Sequence, residues 1–198
     1  MRKLGSIRRP GRGLAIVAGA GRQTVVWVLL CLLGPPASGE TCEPPMAKVF
    51  RAQGQVELSP GGAPRWQRVG LEQSLCPGDR LRLGPRSRAT VRFANQTLVD
   101  LDEGSTLVLH DAAKPEETGL LELLRGALHA ISRVPRQLNI RTPIANAGVE
   151  GTEFALRVDP ARAELWVYEG RVLFENTKGQ LRVGGGEAAL ARAGEAPE

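Results

Sequence analysis

Histidine and cysteine are the residue types in this chain with the most obvious capacity for chemistry. The sequence has two histidines, His110 and His129, and three cysteines. Neither histidine stands at a metal-ligand spacing from Cys42 or Cys76, and single histidines of this kind are typical of turns and surfaces. The sequence therefore predicts no metal site and no bound cofactor.

Serine and cysteine nucleophiles also lack their usual context. Ser105 and Ser132 are not in the glycine-flanked turn that presents a catalytic serine, and the cysteines have no papain-like surroundings. A serine or cysteine hydrolase is therefore not expected, and no catalytic residue is assigned.

Acidic and glycine-rich runs give two further candidate sites. Asp100, Asp102 and Glu103 resemble a carboxylate pair or a calcium loop, but the oxygen spacing of an EF-type loop is missing. We interpret them as a strand end and a turn. The glycines at 184–186 do not precede a helix start or a Lys-Ser/Thr pair, so a phosphate cradle is not expected. The chain is predicted not to be an enzyme.

Positive charge is concentrated at one end of the chain. The formal net charge is +5, but residues 1–39 contain six basic and no acidic side chains, which leaves 20 basic and 21 acidic side chains after residue 39. Phosphate binding needs clustered basic side chains, and the one comparable set is divided between two alternating segments. A solvated strand face explains that set better, and no nucleic-acid partner is predicted. Its members are Arg80, Arg82, Arg86, Arg88 and Arg92.

The first 39 residues have the features of a secretory signal peptide. A basic region precedes an apolar run from Thr24 to Leu33, and a glycine-proline break then leads to the small residues Ala37-Ser38-Gly39. We predict cleavage after Gly39 and export to the periplasm. The alternative is an uncleaved anchor facing the periplasm, although a membrane span needs about 18–20 apolar residues.

Two cysteines remain after cleavage of the signal peptide, which contains Cys31. Cys42 and Cys76 are an even number in an oxidising compartment, which predicts a disulfide that ties the mature N-terminus to the body. Two reduced thiols are the alternative.

The elements that must position these residues are β-strands. From Ala47 onward apolar and polar residues alternate with a period near two, and glycine- and proline-containing turns separate the runs. About ten short strands predict an all-β domain of the sandwich, barrel or β-solenoid type. The stretch at 119–128 fits a short helix or a strand. The predicted strands are 55–58, 80–83, 89–93, 97–101, 106–109, 138–141, 154–158, 164–168, 171–174 and 181–183.

These strands contain an approximate internal sequence repeat. Gly54, Gly126 and Gly170 each open an apolar strand, at unequal separations that exclude a fixed-period repeat. The last residues are rich in glycine, alanine and charge, and predict an edge strand that gives way to a flexible end. We therefore divide the chain into a signal peptide (1–39), a mature N-terminal segment (40–47), a β domain (48–190) and a flexible tail (191–198).

The most specific motif is structural. In the segment from Thr142 to Phe154, Thr142-Pro143 ends a strand because proline cannot donate to the ladder, and Gly151 allows a tight turn into the next strand. With Thr152 and Phe154 this segment resembles the T-P-x-A…V-x-G-T-x-F signature of the FecR domain. Two further runs, C-P-G-D at 76–79 and E-G-x-V at 169–172, occur in the same order as in the FecR family. The resemblance therefore covers about residues 48–190. Glu150 departs from the arginine that many members have before the Gly-Thr pair.

The resemblance implies a sandwich-like or solenoid-like bacterial domain that binds or regulates. FecR sensors receive a signal from an outer-membrane transporter and control a sigma factor through a cytoplasmic segment, but we expect no cytoplasmic helical domain before the apolar run of this chain. It is more similar to exported FecR-domain proteins that often continue into tetratricopeptide repeats. We therefore expect a periplasmic module that binds a protein or a cell-envelope ligand such as peptidoglycan or another glycan. The alternative is a membrane-anchored transducer of envelope or iron-uptake signals that acts on a sigma factor.

Three aromatic residues are candidate contacts. Trp66 lies in a Pro-Arg-Trp-Gln segment and is assigned as the possible contact, with an indole that covers the core edge as the alternative. Trp166 and Tyr168 share one face of a strand and have the same two interpretations.

Overall fold

The computed structural model of the protein describes residues 42–110, 120–133 and 135–198, and this part of the chain is built almost entirely from β-strands. The predicted signal peptide lies outside the described residues, so its cleavage stays a prediction. In chain order the strands are β1 (Ala47–Gln53), β2 (Val56–Ser59), β3 (Gln67–Arg68), β4 (Ser74–Leu75), β5 (Arg80–Leu83), β6 (Arg88–Phe93), β7 (Leu98–Leu101), β8 (Thr106–His110), β9 (Leu120–Ile131), β10 (Pro135–Arg141), β11 (Asn146–Val158), β12 (Arg162–Asn176), β13 (Gly179–Gly184) and β14 (Ala188–Arg192).

Helical structure within these ranges is limited to a 3-10 turn at Pro60–Gly62. Across the described segments, no helix has the length and apolar character that a membrane crossing requires. The predicted all-β class is confirmed. The stretch at 119–128, for which the sequence allowed helix or strand, forms most of β9 from Leu120 onward.

The strands form one sheet that is folded into two layers. The first layer has the order β4-β1-β6-β7-β9-β11-β12-β14, and the second has the order β3-β2-β5-β8-β9-β10-β11-β12-β13. The strands β9, β11 and β12 belong to both, because the two halves of each strand pair with different neighbours. Neighbouring strands are antiparallel except β9 and β10, which are parallel. Because β9 pairs with β11 as well as with β10, the sheet closes into a small barrel with extra strands.

Glycines mark the points where the chain passes between the layers. Gly126 in β9, Gly151 in β11 and Gly170 in β12 have φ of 94°, 57° and 82°, and Gly54 between β1 and β2 has φ of 78°. A Cβ at position 126 would lie 2.4 Å from Ser105 Cα, and one at position 170 would lie 2.5 Å from the Gly151 carbonyl oxygen. Only glycine fits these crowded, left-handed positions.

Buried hydroxyl groups hold two of the bends. The Gln55 amide donates to Ser87 Oγ at 2.9 Å, and the Ala127 amide donates to Ser105 Oγ at 3.0 Å. Ser105 Oγ also donates to the Ala127 carbonyl at 2.9 Å. The recurring glycines of the sequence are therefore bend positions, and the residues that follow Gly54 and Gly126 are each held by a serine hydroxyl.

The core lies between the layers as a single hydrophobic cluster. Val91 and Phe154 enter it from the first layer, and Leu81, Leu123 and Phe174 enter it from the second. Since strand side chains alternate, the polar residues between these positions cover the two outer faces.

Residues of the FecR-like motif stabilise turns and bends. Thr142 Oγ1 accepts hydrogen bonds from the Ile144 and Ala145 amides at 3.1 and 3.0 Å and donates to the Ala145 carbonyl at 2.6 Å. This hydroxyl closes the turn that contains Pro143 between β10 and β11. Phe154 is fully buried in the core.

The Gly-Thr pair of the motif meets the later E-G-x-V run. The Thr152 Cγ2 methyl group lies 2.6 Å from where a Cβ on Gly170 would be, so threonine fills the space that glycine leaves. The Thr152 hydroxyl is buried and has no hydrogen-bond partner within the described ranges. The side chain of Glu150 lies outside the described residues.

The predicted disulfide joins Cys42 to Cys76, with the two Cα atoms 5.7 Å apart. It fastens the segment before β1 to the turn between β4 and β5. In that turn Asp79 is only 4% exposed. Its carboxylate accepts hydrogen bonds from the Gly61 and Cys76 amides, both at 2.8 Å.

The end of the chain contacts β14. Leu190 and Glu198 exchange backbone hydrogen bonds at 2.8 and 2.9 Å. The predicted domain boundary at residue 190 falls inside β14, and flexibility of residues 191–198 would require motion away from these contacts.

Candidate binding groove

Trp66, the contact candidate from the sequence, is half-buried on the second layer. The guanidinium carbon of Arg82 lies 4.1 Å from the centroid of the indole. Arg82 Nε in turn donates to Glu57 Oε2 at 2.7 Å. One face of Trp66 is therefore covered by the protein's own ion pair, and its role as a contact stays a prediction.

A groove of about 770 Å³ lies on the outer face of the first layer. Its lining includes Arg51, Asp100, His129, Arg157, Trp166 and Tyr168. This volume is within the range of ligand-binding pockets. We refer to this feature as the outer groove.

Strand register places these side chains in rows. One row crosses seven neighbouring strands, and its members are Arg51, Thr90, Asp100, His129, Ala155, Trp166 and Ala188. Ala155 lies between His129 and Trp166, and Ala188 lies on the other side of Trp166. Because the alanine side chain is short, neither neighbour covers the sides of the Trp166 indole, which protrudes from the sheet.

His129 is held in place by its neighbours. Its Nε2 atom is 3.0 Å from Glu153 Oε1, and its Nδ1 atom is 3.9 Å from Asp100 Oδ2. The Tyr168 ring meets the imidazole edge-on, with centroids 5.8 Å apart. Thr90 Oγ1 donates to Asp100 Oδ1 at 2.6 Å. The central polar groups of the groove are thus preorganised.

The charged residues of the groove differ in whether they are paired. Arg88 Nε lies 3.1 Å from Asp102 Oδ1, and Glu164 accepts from Arg162 at 3.1 Å. Arg51 and Arg157 are exposed and have no ion pair or hydrogen bond from their side chains to the residues that the structure describes. Two guanidinium groups therefore remain available to a ligand.

Perturbed titration is found outside the groove. The hydrogen bond from Arg82 lowers the pKa of Glu57. The backbone amide of Ala161 lowers the pKa of Asp159 in the turn between β11 and β12. Both carboxylates have structural roles.

The side chains of the outer groove are of the types found at recognition surfaces. Among residues 42–110, 120–133 and 135–198 no group of three or more His, Cys, Asp or Glu residues is placed to hold a metal ion. Aromatic rings, fixed acceptors and free guanidinium groups together make a recognition surface.

Sequence reasoning missed most of this groove. It placed Trp166 and Tyr168 on one face, but His129 and Asp100 were assigned to turns and strand ends. The strands β7 and β9 that bring them together are separated in the chain by β8. The alternation of polar and apolar residues along a single strand therefore could not predict that Asp100 and His129 lie close together.

Comparison with known proteins supports the family resemblance. A family model described as FecR protein matches residues 79–173, which run from the end of the Cys76–Asp79 turn into the second half of β12. These residues include the motif glycines and most of the strands under the outer groove. No curated protein matches the chain.

Two solved structures share the fold. Both are crystal structures of a protein from Parabacteroides distasonis ATCC 8503 that is proposed to be an anti-sigma factor. Each superposes with a TM-score of 0.51 and 16% identity, over 60% of this chain and 58% of the other. The chain thus matches less than two thirds of their length, and the similarity is one of fold. The motif and the matched family model together identify a FecR domain in this chain, at residues 79–173.

Proposed function

We propose that the protein is an exported, non-catalytic module that binds a cell-envelope ligand or protein through the outer groove and regulates a response to it. The observation that carries this proposal is the groove itself, in which Trp166, Tyr168 and two unpaired arginines share one open surface. Exposed aromatic and arginine side chains are enriched at recognition sites.

Export is supported by the leader and by the disulfide. Disulfides form and persist in oxidising compartments such as the periplasm. A regulatory role is supported by the FecR domain and by the fold shared with a protein proposed to be an anti-sigma factor. The partner is a protein or an envelope polymer, with no part for nucleic acid.

The location is tested by the N-terminus of the protein produced in a bacterium with its own leader. Periplasmic fractionation followed by intact mass spectrometry should give a protein that starts near Glu40. A membrane-bound protein that starts at Met1 would contradict export and would favour the anchored transducer acting on a sigma factor.

Binding is tested with isolated cell envelopes of the source bacterium. The protein purified from the periplasmic fraction should be retained saturably, and Trp166→Ala should abolish retention. Trp66→Ala is the matched control, because it removes an indole outside the groove. Equal retention of both variants would move the site away from the groove, and loss only in Trp66→Ala would support the candidate chosen from sequence.

A further inference from the structure

We propose that the ligand of the outer groove is a carboxylate-bearing glycan chain, with Trp166 stacked beneath a sugar ring and Arg51 and Arg157 paired to carboxylates. This inference rests on the proposed function and names the chemical class of its ligand.

The first argument is the exposed aromatic platform. Trp166 is 37% exposed and Tyr168 is 58% exposed, although both lie on a strand in the middle of a packed domain. Ala155 and Ala188 flank Trp166 in register, so the indole has no bulky neighbour across either adjacent strand. A flat, rigid apolar surface with a polar N–H suits the C–H face of a sugar ring and its hydroxyl groups.

The second argument is charge. Arg51 and Arg157 are free of ion pairs to the described residues, whereas Arg88 is paired with Asp102. Guanidinium groups bind carboxylates in a planar, two-point geometry. Of the three acids that line the groove, Asp102 is paired with Arg88 and Glu164 with Arg162, while Asp100 accepts a hydrogen bond from Thr90. Two arginines without an ion pair therefore stand against one carboxylate, Asp100, and this excess of positive charge favours an acidic ligand.

The third argument concerns backbone hydrogen bonds. The strands β6, β7, β9 and β11 lie in the interior of the first layer, and each is paired on both sides. The strands under the centre of the groove therefore offer no sheet edge to which an extended peptide could add. Recognition must use side chains, as with a sugar chain, whose hydroxyl groups pair with Asp100, His129 and similar groups.

The fourth argument is shape. The groove runs across the strands from β1 to β12, which are five strand spacings apart in the first layer. At about 4.8 Å per spacing, this corresponds to about 24 Å along a flat sheet. An open groove of this length fits several linked sugar rings.

The test is calorimetric titration of the protein purified from the periplasmic fraction with four probes. Peptide-free peptidoglycan strands have a lactyl carboxylate on every second sugar, and chitohexaose has a similar backbone without carboxylates. Hexagalacturonate is an acidic glycan from another source, and hexaglutamate is an acidic peptide. We expect an acidic glycan to bind at least tenfold more tightly than chitohexaose, and binding to weaken with added salt.

Variants sharpen the result. Trp166→Ala should abolish glycan binding. Arg157→Gln should weaken acidic glycan binding about fivefold and leave neutral glycan binding unchanged. Arg182→Gln is the matched control, since Arg182 is exposed on β13 of the second layer. Circular dichroism melting of each variant separates lost binding from lost folding.

The outcomes distinguish this inference from the proposed function. Preference for peptidoglycan strands or for hexagalacturonate identifies the source of the glycan, and either supports the proposal. Tighter binding of hexaglutamate, or no binding of any glycan, overturns it. If Trp166→Ala still abolishes envelope retention in that case, the groove is a protein-binding site and the proposed function stands. If retention is unaffected, both are wrong.

Discussion

The two outer faces of the folded sheet use the same residue types in opposite ways. On the second layer Trp66 lies beneath Arg82, which is paired with Glu57. On the first layer Trp166 has no cation over its ring within the described part of the chain, and Arg157 has no acidic partner there. The indole of Trp66 is covered by the protein's own ion pair, while that of Trp166 is left for a ligand. An indole or an arginine therefore indicates binding only when its neighbours leave it unsatisfied.

The largest expected effect is a loss of stability on substitution of a glycine at a strand bend, because these bends connect the two layers around one core. Gly126→Ala should destabilise the protein by about 3–5 kcal/mol, because the added Cβ meets Ser105 backbone and φ is positive. Gly104→Ala is the matched control, since its φ is also positive but the space around it is open, and it should cost about 1 kcal/mol. Urea unfolding gives both values. Equal losses would mean that the bend at Gly126 is not a close contact.

Removal of the disulfide should have the next largest effect on stability. The double variant Cys42→Ala/Cys76→Ala should lose up to about 3.5 kcal/mol of unfolding free energy, because the unfolded chain regains the entropy of a long loop. The disulfide lies at the turn between β4 and β5, away from Trp166. Ligand affinity of the folded variant should therefore be unchanged. A large change in affinity would show that the two regions are coupled.

A smaller effect separates the two indoles directly. A double-mutant cycle on Trp66 and Arg82 should give a coupling of about 0.5–1 kcal/mol, as for a cation over an aromatic ring. The same cycle on Trp166 and Arg157 should give a coupling near zero in the free protein. Chemical unfolding of the four single and two double variants measures both. A coupling at Trp166 as large as that at Trp66 would remove the contrast between the faces.

The smallest effect is electrostatic. Arg82 lowers the pKa of Glu57 from its ordinary value of 4.5, so the ionised form is favoured in the folded state. The stabilisation is complete above the ordinary pKa and is lost as the pH falls through the lowered one. An NMR titration of the Glu57 carboxyl should have its midpoint below 4.5. Arg82→Gln should raise that midpoint, and an unchanged midpoint would contradict the ion pair.

Much of the strand pattern was predictable because alternation is local. The strand predicted at Arg80–Leu83 has the same bounds as β5, and that predicted at 106–109 is one residue shorter than β8. The predicted strands at 164–168 and 171–174 are wrong as separate elements, since both belong to β12. Gly170 interrupts the apolar alternation at the bend and has no partner in the β11–β12 ladder, which shifts register there and resumes on both sides.

The sequence by itself determined the all-β class, the disulfide partners, the FecR motif and the positions of the bending glycines. These depend on side-chain period, cysteine number and backbone conformation, which are properties of short segments. Only the tertiary structure decided which faces meet. Asp100, His129 and Trp166 come from β7, β9 and β12, and their alignment depends on the register that a shared core imposes on strands far apart in the chain. The groove exists because packing of that core turns these side chains outward together.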